Sequence, residues 1–361
     1  MRALRKVATG PGLSLEEVAE PTPGATDVIV EVEAASVCGT DLHIHLWDGW
    51  AAGRIRPPVT LGHEFAGTVV EVGADVRHVA AGDFVSAESH VTCGGCSACR
   101  TGNGHLCERT QILGVDRDGA FARYVSVPEA VIWKTDRGKL PPEIATLQEP
   151  FGNAVFATNE QDLSGRRVAV LGCGPVGLFT IAIARASGAA RVLASDLHPF
   201  RLELARTMGA DAVLDVSQTA DGEAWFREET DGHGADVVFE MSGSPVAVAD
   251  AVEIARSGGR VILFGIPSRA VELDVASAIF KNLTVQGVAG RRIFATWYRT
   301  RWLLESGAVD LRPLITHEYS LDDWEQVFAK LEAGEACKIV VYPGGMPARA
   351  QGAAEVAEVG R

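Results

Sequence analysis

The sequence predicts an α/β protein of two domains, a β-rich one followed by a doubly wound parallel sheet with helices on both faces. Three observations predict it. The chain has 361 residues, more than a single core usually organises. Its first 150 residues carry short alternating apolar runs broken by Gly and Pro, the pattern of antiparallel strands. From about residue 165, apolar strand-like runs alternate with helical periodicity, the pattern of βαβ units.

The elements follow in order. Val28, Val30, Val32 and Ala34 alternate with Glu31 and Glu33, which predicts a half-buried strand. Residues 68–72 and 83–86 read as further short strands, set off by Gly73 and Gly82. Pro141-Pro142 opens a helical stretch that Pro150 is expected to break or kink. In the second half, strands are predicted over 167–171, 191–195, 212–214, 236–240, 260–264 and 283–288. Helices are predicted over 176–187, 199–208, 222–230 and 246–256, then 296–305 and 321–333. A last strand, 338–342, could return to the first domain. The Ala/Gly/Glu-rich tail from residue 344 is expected to be disordered.

The chain carries 33 basic and 47 acidic side chains, a formal charge of −14, which disfavours nucleic acid as a partner. The basic N-terminus is followed by Thr9-Gly10-Pro11-Gly12 rather than an apolar segment, so no signal peptide is expected. The longest apolar run, 168–184, is interrupted by glycines and is short for a membrane span. A cytoplasmic protein is therefore expected, with cysteines reduced and available to metals.

Cys93, Cys96, Cys99 and Cys107 are spaced C-x2-C-x2-C-x7-C. Four thiolates on a short loop suit tetrahedral Zn²⁺, and a closed four-sulfur site is structural because it keeps no open position. Cys38, just after a strand, and His63-Glu64, just before one, offer a sulfur, an imidazole and a carboxylate. Together they would make a three-ligand site with one open position, although their spacing alone leaves a structural role open for each. Thr40 and His43 are three apart, neighbours if the segment after Cys38 turns helical.

Gly172, Gly174 and Gly177 form G-x-G-x-x-G between a predicted strand and a predicted helix, and Asp196 closes the next strand. This is the fingerprint of a dinucleotide site in a Rossmann fold: a tight turn, close approach of the pyrophosphate, and tight helix–strand packing. The helix N-terminus offers free N–H groups to phosphate. Asp196 can accept from both ribose hydroxyls and would repel a 2′-phosphate, which favours NAD. Arg201 nearby is either a surface helix charge or a group that could hold such a phosphate.

The G-H-E-F-A-G phrase at 62–67, the C-G-T-D phrase at 38–41, the cysteine lobe and the glycine loop occur in this order in zinc-containing medium-chain alcohol dehydrogenases. The chain resembles that superfamily over nearly all its length. The phrase C-G-T-D-L-H-I-H-L-W-D-G-W at 38–50 is similar to the L-threonine 3-dehydrogenases, as are E-P-F-G-N-A-V at 149–155 and G-R-R-I-F-A-T-W at 290–297. The resemblance implies a GroES-like catalytic domain over 1–152 and 293–343, with the zinc lobe at 91–109, and a Rossmann domain over 153–292. It implies two zinc ions per chain, the catalytic one on Cys38, His63 and Glu64. It implies a proton relay through Thr40 and His43, with Glu149 near the metal, tuning or ligating it. Val176, Asp196, Arg201, Phe264, Gly265, Ile266, Val288 and Ala289 would touch NAD. Trp47, Trp50 and His90 are candidates for the substrate pocket. The implied reaction is NAD-dependent oxidation of the secondary hydroxyl of L-threonine to 2-amino-3-oxobutanoate, in a homotetramer. A zinc polyol or 2,3-butanediol dehydrogenase is the alternative. Arg291 and Arg292 are candidate partners for the charged groups of an amino-acid substrate, with surface charges or subunit contacts as the favoured reading.

Overall fold

A computed structural model describes residues 1–159, 161–219 and 221–348. The tail expected to be disordered lies mostly outside these residues. The chain divides into two compact units, Met1–Glu149 with Ile315–Arg361, and Pro150–Leu314.

The first unit is built on one long strand, Asp27–Ser36. Its valines point into the core while Glu31 and Glu33 stay half-exposed, as period-2 alternation requires. It pairs antiparallel with Glu64–Val72 on one side and Lys338–Tyr342 on the other. Phe84–Ala87 and Ile132–Lys134 extend the sheet beyond the first, and Ile315–Ser320 extends it beyond the second. The expected last strand thus does return to the N-terminal part of the chain. Phe65, Phe121, Phe328 and Ile339 fill the core beneath.

Register decides what meets what. Ser36 lies opposite Glu64 on one neighbour and Val340 on the other. Cys38 follows two residues after the strand ends, and Lys338 precedes Val340 by two. The sheet therefore gathers Cys38, Glu64 and Lys338 at one end.

The second unit holds a six-stranded parallel sheet in the order Ala212–Asp215, Arg191–Asp196, Arg167–Leu171, Ala235–Glu240, Ala255–Leu263, Thr284–Gly287. Pro175–Ala186, Pro199–Thr207 and Pro245–Ile254 all begin with proline, whose missing N–H costs nothing in a first helical turn. In Pro175–Ala186 every residue from Gly177 to Ala184 is buried, so that helix shows no polar face.

Three expectations need correction. Pro150 does not break a helix; it sits in the first turn of Gln148–Asn159, where proline is tolerated, and the break falls before it, after Pro142–Ala145. Residues 293–314 fall in the second unit, not the first. There Arg292 lies 5.6 Å from the Phe156 ring, and the turn Arg312–Leu314 packs on Pro199–Thr207. Arg291 is buried, not superficial, and donates to Asn153 Oδ1 at 3.1 Å. Among the described residues no helix is long and apolar enough to cross a membrane.

Candidate metal centres and dinucleotide loop

The sulfurs of Cys93, Cys96, Cys99 and Cys107 lie within 4.8 Å of one another. None is in a disulfide. A tetrahedral zinc with bonds of about 2.3 Å sets its sulfurs about 3.8 Å apart. Cys96 and Cys99 stand 3.5 Å apart, close to that edge. Backbone N–H groups of Gly95 and Cys96 pull the Cys93 thiol down to about 6, while desolvation and the neighbouring thiols push Cys99 up to about 11. Four thiols this crowded cannot all ionise without a cation, so the donor set fits a structural zinc. Cys99→Ser is expected to lose one zinc equivalent and to lower thermal stability while sparing the kinetics of the folded fraction; elemental analysis with a melting curve checks this.

A ligand atom each from Cys38, His63 and Glu64 also lie within 4.8 Å of one another. Cys38 is the N-cap of the helix Gly39–Leu46, and its N–H donates to Asp41 Oδ2 at 3.0 Å. Asp41 is fully buried, and burial raises its pKa. Its Oδ1 stands 3.8 Å from His63 Nδ1. Burial alone would depress the His63 pKa, but Asp41, Cys38 and Glu149 together raise it to about 10. The pocket is negative enough to hold a cation. His63 Nδ1, Asp41 Oδ1 and Glu64 Oε1 are buried with no hydrogen-bond partner among the described residues. Glu64 Oε2, by contrast, is held by Ser36 Oγ and by Lys338 Nζ, both buried. One carboxylate oxygen anchored and one bare is what a metal-binding glutamate requires, and the residues fit a zinc.

Thr40 Oγ1 is 3.7 Å from Cys38 Sγ. His43 is 59% exposed, and its Nδ1 lies 2.6 Å from Asp48 Oδ2. Trp50 stands beside His43, ring centroids 6.4 Å apart, whereas Trp47 packs against the core with Lys6 Nζ 4.7 Å from its ring. Glu149 is buried and accepts from Ser89 Oγ at 2.5 Å. His90 Nδ1 is 2.8 Å from Glu88 Oε1.

In the second unit, Gly172 has φ 97° and a Cβ there would stand 2.7 Å from Ser242 Cβ. A Cβ on Gly177 would meet the Gly172 carbonyl oxygen at 2.0 Å. A Cβ on Gly174 would meet nothing within 4 Å, so this glycine leaves open space before the helix N-terminus, where a pyrophosphate fits. Val176 lies in that first turn. Asp196 ends its strand and accepts the N–H groups of Cys173 and His198 at 2.7 and 2.9 Å; Arg201 approaches it at 4.0 Å. Phe264, Gly265 and Ile266 follow the strand Ala255–Leu263, and Val288 and Ala289 follow Thr284–Gly287, all at the carboxyl ends of the sheet. Ile266 is 92% exposed.

Sequence reasoning missed Asp41, Asp48, Glu88 and Lys338. Asp41 stands in the C-G-T-D phrase, three residues after Cys38, and that spacing could have flagged it as a helix cap. Lys338 carried no signal, because only strand pairing brings it to Glu64.

Two family profiles match the chain. Residues 24–137 match "Alcohol dehydrogenase GroES-like domain" and residues 175–306 match "Zinc-binding dehydrogenase". The L-threonine 3-dehydrogenase of Symbiobacterium thermophilum is 48% identical over 95% of this chain and 98% of its own length. The 2R,3R-butanediol dehydrogenase of Bacillus subtilis superimposes with a TM-score of 0.87 at 32% identity, over 95% of this chain and 99% of that one. A zinc-binding dehydrogenase of Sinorhizobium meliloti 1021 bound to NADP gives the same score, identity and coverage. With both profiles matched in order and a relative this similar along nearly its whole length, the chain belongs to the zinc-containing alcohol dehydrogenases, in the branch of the L-threonine 3-dehydrogenases.

Proposed function

We propose that this enzyme oxidises the β-hydroxyl of L-threonine to 2-amino-3-oxobutanoate, reducing NAD⁺ to NADH. The observation that carries the chemistry is the convergence of Cys38, His63 and a half-anchored Glu64 on one buried point. The observation that favours threonine is the 48% identity to an L-threonine 3-dehydrogenase.

Zinc held by Cys38, His63 and Glu64 supplies Lewis acidity, of the kind that brings water from a pKa of ~15.7 to about 7. NAD⁺ on the glycine loop supplies the hydride acceptor. The remaining work falls to the chain. Thr40, beside Cys38, takes the substrate's hydroxyl proton, and His43 delivers it to solvent, for which its exposure suits it. Asp48 accepts from His43 Nδ1 and so fixes which nitrogen passes the proton on. With NAD⁺ held on the glycine loop the substrate's hydride would pass to the cofactor, while its proton leaves through this relay, so that the product is a ketone. Trp47, Trp50 and His90 bound the substrate, and Glu149 tunes the metal.

Asp196 favours NAD over NADP, although Arg201 beside it keeps the phosphorylated cofactor in play. The second zinc belongs to the cysteine lobe. The edge strand Thr284–Gly287 and the exposed Ile279 and Phe280 beside it support pairing between copies, and we read the enzyme as a cytoplasmic homotetramer.

A panel of L-threonine, sorbitol and 2,3-butanediol with NAD⁺, followed by NADH absorbance, tests the reading. L-Threonine is expected to give the highest kcat/KM. Rapid oxidation of 2,3-butanediol without turnover of threonine would transfer the enzyme to the butanediol class.

A further inference from the structure

Glu240 carries a fully buried carboxyl group at the carboxyl end of the strand Ala235–Glu240, and the proposed reaction does not use it. That strand opens the second half of the parallel sheet, next to Arg167–Leu171, which feeds the glycine loop. In a doubly wound sheet the dinucleotide lies beyond the carboxyl ends of the strands, one mononucleotide to each half. The glycine loop and Asp196 belong to the half that takes the adenosine, so the nicotinamide mononucleotide falls to the half that Glu240 begins.

Loops 241–244 and 264–266 leave the ends of Ala235–Glu240 and Ala255–Leu263, and Glu240 holds both. Its backbone carbonyl accepts the N–H groups of Phe264 and Gly265 at 3.0 and 3.1 Å. Its Oε1 accepts Ser242 N–H at 2.8 Å, Gly243 N–H at 3.0 Å and the Ser242 hydroxyl. Oε2 accepts Gly243 N–H at 3.2 Å. Ser242 Oγ in turn accepts Ser244 N–H at 3.0 Å. The loops also press on each other. Gly243 has φ 69°, and a Cβ there would stand 2.6 Å from the Ile266 carbonyl oxygen. A Cβ on Gly265 would stand 2.7 Å from Glu240 Oε2. A buried carboxyl group is tolerated where donors meet it, and the donors here come from one loop. The carboxyl group and that loop therefore fix each other.

We propose that Glu240 is a positioning residue for the cofactor: its carboxyl group locks loop 241–244, which braces loop 264–266, and the two loops together seat the nicotinamide mononucleotide half of NAD⁺. The proposal rests on the reading of NAD⁺ as cofactor. A seat fixed before binding leaves less to be ordered when the ligand arrives, so the gain appears as affinity. The adenosine half is held separately, because Asp196 fixes its own loop through the N–H groups of Cys173 and His198.

Calorimetric titration of the zinc-loaded enzyme tests this, because it reads binding to each half without turnover. Glu240→Ala is expected to raise the Kd for NAD⁺ about tenfold, while the Kd for ADP, which fills the adenosine half alone, moves by less than about twofold. A merely structural role would weaken both ligands alike or neither, and either result would overturn the proposal. If Glu240→Ala fails to fold, Ser242→Ala decides, since it removes one donor to Glu240 and the link to Ser244. There the Kd for NAD⁺ is expected to rise about threefold with that for ADP unchanged. An unchanged Kd for NAD⁺ would again overturn the proposal. If the wild type prefers NADP⁺, the cofactor reading fails, while the same comparison of NADP⁺ with 2′-phospho-ADP still judges the role of Glu240.

Discussion

Cys38→Ser is expected to lower kcat/KM for L-threonine by at least about a thousandfold while leaving the far-UV circular dichroism and melting temperature nearly unchanged. The loss follows from the ligand set: replacing the thiolate with a neutral hydroxyl removes the one soft donor that accompanies His63 and Glu64. The fold survives because Cys38 has a second, separable duty as N-cap of Gly39–Leu46, and serine is among the best N-caps. Steady-state assays with elemental analysis check it: zinc content is expected to fall by about one equivalent per chain relative to wild type. Retention of more than a tenth of the activity, or collapse of the fold, would remove Cys38 from the ligand set.

Lys338→Met is expected to destabilise the protein by about 3–5 kcal/mol, because it leaves Glu64 buried without its cation. Lys338 and Glu64 are 2% and 1% exposed, so water cannot replace the lost partner. Burial by itself would favour the neutral amine, but Glu64 and Cys38 outweigh it and hold the Lys338 pKa above its ordinary value. The ammonium thus stays charged through the neutral range and also donates to Val37 O at 3.0 Å. Zinc on the bare oxygen of Glu64 would compensate part of the orphaned charge. The variant's melting temperature is therefore expected to fall further below wild type after chelation than before it, and paired melting curves with and without chelator measure the difference. Equal losses in both states would mean that Lys338 and the metal do not share Glu64.

What could be read in the sequence was whatever lies close along the chain. The cysteine lobe spans fifteen residues, from Cys93 to Cys107, and its spacing alone announces a tetrahedral ion. The glycine loop with Asp196 belongs to one βαβ unit, so each glycine has a local reason. Central strands such as Arg167–Leu171, buried on both faces, read as unbroken apolar runs. Illegible were the elements and partners fixed by pairing at a distance. Lys338 reaches Glu64 across 274 positions, and Arg291 reaches Asn153 across 138. Neither residue type, seen alone, suggests burial. The strand Ser14–Glu17 shows no apolar alternation and exists because it pairs with Arg2–Lys6. The helix Val275–Phe280 is too short for periodicity, and its apolar side chains face outward.

The discontinuity of the first unit has a consequence for biosynthesis. Residues 150–314 are contiguous, so the dinucleotide sheet can close as soon as it leaves the ribosome. The other sheet cannot. Its strand Asp27–Ser36 waits for Lys338–Tyr342, translated roughly 300 residues later, which at about 5–20 residues per second is 15–60 s. Until then Glu64 lacks its lysine, and the thiol and imidazole beside it lack the closed wall that orders them. A nascent chain halted near its C-terminus is thus expected to capture cofactor before it can retain the reactive ion.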